Sequence, residues 1–287
     1  MYKLYCAKTC SHRYTNARFP QVTHCTMNDM LTLNPCPNLG ALAVRHQIHD
    51  PIDWHYHISF RKDVYAAHPD LDLPKYLLAP EIRQLAALPI NHHHRMLMLL
   101  LFNTGARINE LLDLTPKGVC QIHKSGQTIT TVTLRTLKQQ KRPSGRAPKD
   151  SRRVVNLYDK QFAKELMSYI VTYCKNKRLP IFRSEALQHN NRVVSGKRKQ
   201  RVARQISDQT ARNWLKEIER VAREHGIELM IGLSPKVFRH SCAIHMLLNR
   251  MPLSLIQKHL GHQYPKNTNI YTNLLALDND LTLDIPF

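Results

Sequence analysis

Arg107, Arg239, His262 and Tyr271 are spread over more than 160 positions, yet each falls at a predicted helix end or first turn. Such places are where a scaffold exposes reactive groups. An arginine offers planar, paired N–H donors of the kind that match the oxygens of an anion. Two basic strips point the same way. Residues 138–153 carry seven basic side chains and one acid, and residues 192–204 carry six basic side chains and no acid. One such run is usually a solvated loop, but two in a strongly basic region point to contact with a polyanion. The expected contacts are Lys141, Arg142, Arg146, Lys149 and Arg152 in the first strip, and Lys197, Arg198, Lys199 and Arg201 in the second.

The whole chain agrees. Its 287 residues hold 42 Lys and Arg against 21 Asp and Glu, a net charge of +21. A polyanionic partner would relieve that self-repulsion, and nucleic acid leads an anionic membrane as the partner. Residues 1–75 hold eight basic and six acidic residues, leaving 34 basic and 15 acidic in residues 76–287. No run nears the roughly 18 apolar residues of a membrane span. The start lacks a secretory h-region and seven cysteines are neither dense nor even in number, which reads as a reduced, intracellular protein.

The elements that must position these residues begin near Leu77. Ala79-Pro80-Glu81 predicts a helix start leading into Ile82, Leu85 and Leu88. His93 to Phe102 is apolar all round and predicts a central helix, with His92, His93 and His94 as its solvated start. Thr104 is positioned to cap a helix in which Ile108, Leu111 and Leu112 face the core. Residues 128–134 and 153–157 alternate and predict a hairpin with a long basic tip. Helices are expected over 160–174, over 208–225 behind Ser207, from Ser234-Pro235 to about Leu248, and from Pro252 to Gly261. Asn267 and Thr268 can cap one more turn presenting Tyr271.

Residues 1–75 form a poorly defined N-terminal region. Six prolines interrupt it and no period of 3.6 is sustained. Its Cys6, Cys10, His12, His24, Cys25 and Cys36 match no common zinc spacing, so they read as unligated.

The segments 104–114 (TGARINELLDL), 234–241 (SPKVFRHS), 260–262 (LGH) and 268–271 (TNIY) stand in the order and spacing of the tyrosine recombinases, or phage integrases. The chain resembles that family, its Xer and plasmid-resolvase members above all, over about residues 78–275. The resemblance implies a mainly α catalytic domain with a small antiparallel β-sheet over residues 76–287. It implies double-stranded DNA at a specific recombination site as substrate, cleaved and rejoined without metal, cofactor or ATP. Tyr271 would be the nucleophile forming a 3′-phosphotyrosyl link. Arg107 and Arg239 would stabilise transition-state charge, with His262 bonded to a phosphate oxygen. Lys138 would protonate the leaving 5′ oxygen, Lys141 being the alternative. Glu110 would orient active-site side chains rather than touch DNA. Lys236 stands where the family more often has histidine, and would act as donor and phosphate clamp.

The family further implies a homotetramer on synapsed DNA, no membrane, and a cytoplasmic setting on a bacterial nucleoid, plasmid or other mobile element. Integration, excision and plasmid multimer resolution are its outcomes. A type IB topoisomerase and a catalytically degenerate DNA-binding protein are the alternatives. The family's usual four-helix DNA-binding domain of roughly 90 residues is short or degenerate here in residues 1–75.

Overall fold

The computed structural model describes residues 52–124, 126–136, 151–184, 193–194, 197–198 and 205–277. Helices α1 (Trp54–Ala67), α2 (Ala79–Ala87), α3 (His92–Thr104) and α4 (Ile108–Leu112) precede a sheet of β1 (Val119–Lys124), β2 (Gln127–Thr136) and β3 (Ser151–Leu157). Then come α5 (Lys160–Tyr173), the two-residue strands β4 (Val193–Val194) and β5 (Lys197–Arg198), and α6 (Asp208–Glu224). Helices α7 (Pro235–Leu248), α8 (Leu253–Leu260) and α9 (Lys266–Leu275) follow. This is the mainly α class with a small antiparallel sheet that the sequence predicts. Among the described residues no helix is long and apolar enough to cross a membrane.

One core gathers around α3, whose Met96 to Leu101 are all buried, with α6 laying Ala211, Leu215, Ile218 and Ala222 on one stripe. The sheet closes this core. Its order is β1-β2-β3, all antiparallel, and the register pairs Val132 with Val155 and Leu134 with Arg153. Alternation along β3 then turns Arg153, Val155 and Leu157 inward, leaving Arg152 and Val154 exposed. A second core joins Phe60 and Val64 of α1 to Cys242 and Ile244 of α7, Ile256 and Leu260 of α8, and Tyr271 of α9.

Four details differ from the sequence expectations. Thr104 ends α3 instead of capping α4: its hydroxyl donates to the Leu100 carbonyl, and Arg107 occupies the N-cap of α4. Thr268 likewise lies inside the first turn of α9, behind Pro265. Only His92 of the histidine triplet is exposed, because His93 packs edge-on to Tyr169 and Tyr173 and His94 lies against Trp214. Residues 1–75, given no element by the sequence, contain α1. Its buried stripe of Phe60, Arg61 and Val64 includes an arginine, which a hydrophobic pattern reads as solvent-facing.

Arg61 is 1% exposed, and its guanidinium donates to both carboxylate oxygens of Glu81 at 2.7 Å and to the Tyr76 carbonyl at 2.8 Å. Next to it, the Leu77 amide donates to the Ser241 hydroxyl at 2.8 Å, fastening the strap before α2 onto α7. Removing one member of a buried ion pair leaves the other uncompensated. Arg61→Ala should therefore lower unfolding free energy by about 3 kcal/mol, read as a fall in the urea midpoint.

Candidate active site

Two helix ends meet at the centre of the site. Helix α3 stops at Gly105 (φ +56°) and α8 stops at Gly261 (φ +67°), both left-handed. A Cβ at Gly105 would lie 2.5 Å from the Leu260 side chain, so neither the backbone conformation nor the space admits a larger residue there. Into this junction α7 sends Arg239, which is 9% exposed. Its Nη1 donates to the Gly105 carbonyl at 2.5 Å and its Nη2 to the Leu260 carbonyl at 2.8 Å. The free carbonyls of two helix C-termini are natural partners for a cation. Burial, then the charges of Arg107 and Arg153, bring the Arg239 pKa down to about 10, leaving it cationic at neutral pH.

Arg107 follows Gly105 by two residues and is one-third exposed. Its Nη1 donates to Glu110 Oε1 at 2.9 Å and its backbone amide to Glu110 Oε2 at 3.1 Å. Glu110 is 1% exposed and meets a second guanidinium, that of Arg153, at 2.8 Å. Burial would raise the Glu110 carboxyl, but Arg153 and Arg107 outweigh it and hold the carboxyl below its ordinary range.

His262 follows Gly261 directly. Its Nδ1 lies 2.8 Å from the Thr268 hydroxyl and its ring stacks at 6.5 Å on Tyr271. The Tyr271 hydroxyl is hydrogen-bonded to Nδ1 of His240, 3.0 Å away, and the residue is 1% exposed. Burial raises this phenol to about 12, with Arg239 opposing. Burial and the neighbouring arginines push His262 down to about 3, while burial, Lys236 and Arg239 push His240 down to about 4.

Of the residues singled out from sequence, Arg107, Glu110, Arg239, His262 and Tyr271 therefore come together. Lys236 sits exposed in the first turn of α7, one turn before His240. Arg152 is exposed on the outer face of β3, and β5 carries Lys197 and Arg198. Lys138, Lys141, Arg142, Arg146, Lys149, Lys199 and Arg201 lie outside the described residues, as do the N-terminal cysteines. Sequence reasoning missed His240, Thr268 and Arg153. It counted Arg153 in a basic strip against the polyanion, whereas the side chain faces inward onto Glu110. The signal was present: Arg153 shares its phase with the buried Val155 and Leu157.

Residues 75–277 match the phage integrase family. The chain is 34% identical over 215 residues to a probable site-specific recombinase in the afa region of Escherichia coli, covering 75% of this chain and 76% of that one. It is 34% identical over 213 residues to a resolvase of Escherichia coli strain K12, covering 72% and 74%. Among solved structures, the XerH site-specific recombinase bound to palindromic difH substrate aligns with a TM-score of 0.49 and 20% identity, covering 74% of this chain and 54% of that one.

His240, His259 and His262 all sit well below the ordinary value of 6.5, chiefly through burial. The unfolded chain therefore binds more protons between pH 6.5 and about 4, and their contribution to stability, complete above 6.5, is lost as pH falls. The thermal midpoint should drop across this window. His262→Asn should flatten the slope by up to about one proton, and parallel curves for parent and variant would contradict the assignment.

Proposed function

This chain belongs to the phage integrase family, which breaks and rejoins DNA in site-specific recombination, and we propose that the cluster around Arg239 is its active centre. The observation that carries this reading is the convergence of Arg107, Arg239, His262 and Tyr271 on one glycine-terminated helix junction. Arg107 and Arg239 bind the non-bridging oxygens of the scissile phosphate, where charge accumulates in the pentacovalent transition state. His262, neutral and anchored by Thr268, supplies a further hydrogen bond to the phosphate. Glu110 holds Arg107 without touching DNA.

Tyr271 attacks phosphorus: its phenolic proton is lost to solvent, the O–P bond forms, and the bond to the 5′ oxygen breaks. That oxygen takes a proton from Lys138 or Lys141, which solvent restores. The bond between Tyr271 and His240 marks a resting arrangement, which productive DNA binding must break to bring the phenol to phosphorus. Lys236 reaches the phosphate as a charged donor, and Arg152, Lys197 and Arg198 add backbone contacts. Rejoining reverses these steps, so bond energy is conserved.

The reading extends to a homotetramer on synapsed sites of a plasmid or other mobile element, with a catalytic domain from residue 76. A nicked suicide duplex carrying the candidate site tests it. The parent should form a covalent adduct that Tyr271→Phe lacks while still binding DNA; an adduct persisting in Tyr271→Phe excludes this nucleophile. Arg239→Ala should slow single-turnover cleavage by about 100- to 1000-fold with a smaller change in affinity. Equal losses in both would favour a role in binding alone.

A further inference from the structure

We propose that Arg153 is a positioning residue for strand cleavage, the brace that fixes Arg107 and the turn carrying His262 in one frame. This rests on the reading of Arg107 and His262 as phosphate ligands.

The register of the sheet aims Arg153 inward opposite Leu134, and its side chain is only 10% exposed. Two separate parts of the site, α4 and the C-terminal end of α8, converge on it. Its Nη2 lies 2.8 Å from Glu110 Oε2, and the other oxygen of Glu110 holds Arg107. Its Nε donates to the His259 carbonyl at 3.2 Å, on the last turn of α8. Its side chain also lies across Gly261, where a Cβ would stand 2.9 Å from Cδ and 3.1 Å from Nε. One guanidinium thus ties the residue that holds Arg107 to the glycine directly preceding His262. Both ties also anchor to β3, the strand that follows the basic residues 138–149 in the sequence.

Glu110 does not depend on Arg153 alone for its counter-charge, because Arg107 pairs with it as well. An apolar side chain beside Val155 and Leu157 would also avoid the desolvation of a guanidinium. Lysine is no substitute, since a single ammonium lacks the planar fork that reaches a carboxylate and a carbonyl in different directions. Arg153 does not need to touch DNA to matter. A displacement of about 1 Å in a phosphate ligand can slow chemistry by about 100-fold.

Single-turnover adduct formation on the suicide duplex, with DNA affinity and thermal melting measured in parallel, tests the proposal. Arg153→Ala should form the adduct about 100-fold more slowly than the parent while binding the site nearly as well. Added guanidinium ion should recover much of that loss by occupying the vacated space over Gly261, and urea should not. Arg153→Lys should remain clearly impaired while melting close to the parent.

An Arg153→Ala variant that cleaves at the parental rate overturns the proposal, as does one whose affinity falls as far as its cleavage. Should Arg153→Ala fail to fold, Arg153→Lys decides, and parental cleavage by it overturns the proposal. A parent that forms no adduct overturns the recombinase reading and this one with it. A cleaving parent beside an equally active Arg153→Lys overturns this one alone.

Discussion

The site depends on a positive charge that is buried in excess of its counter-charge. Arg107, Arg153 and Arg239 share one carboxylate, that of Glu110, which bonds the first two and leaves Arg239 to backbone carbonyls. Carbonyl dipoles solvate a guanidinium without neutralising it. Burial, and then the repulsion of Arg107 and Arg153, lowers the Arg239 pKa to about 10, and burial with the same arginines keeps His262 neutral. A phosphodiester entering this junction would meet donors already oriented and a charge imbalance that it relieves.

The same constraint explains the backbone. Arg239 can be satisfied in the interior only if two helix C-termini present carbonyls at one point, and two helices ending at one point need residues without side chains. Gly105 and Gly261 meet that need by their left-handed conformation and by the absence of a Cβ at the contact. The residues that follow, Arg107 and His262, leave the junction at once, so the packing that buries Arg239 also aims them. Arg153 repeats the logic from the sheet, using the second glycine as a platform.

Around this centre the proposed nucleophile is held differently. Tyr271 lies in the second core, among residues from α1, α7 and α8, and its hydroxyl is engaged by His240. The Leu77 amide bonds to Ser241, the neighbour of His240 in α7, and Arg61 and Glu81 lock the strap that carries Leu77. The environment of the tyrosine is therefore mechanically continuous with the N-terminal helix, while the arginine cluster is fastened to the sheet.

Elements with a strong period and marked ends were legible in the sequence. Helix α6 shows its stripe and its Ser207 cap, α7 its Ser234-Pro235 start, and α8 its closing glycine. The spacing of Arg107, Arg239, His262 and Tyr271 was legible through the motifs that resemble the phage integrases; Arg107 and His262 stand at helix boundaries as expected, whereas Arg239 and Tyr271 lie past the first turn, inside α7 and α9. Helix α1 was not legible, since its buried face includes Arg61, and the cost of burying that charge is offset by the Tyr76 carbonyl and by Glu81, fifteen and twenty residues along the chain. Nor were the partners. That Arg153 faces Glu110 follows from strand register, from α4 packing on the neighbouring β2 and from β3 lying against α8, and that Tyr271 meets His240 follows from α9 folding back on α7. Local sequence determines which groups can exist at a helix end or strand position; which charge neutralises which is decided by contacts between segments distant in the chain, and only the tertiary structure brings those together.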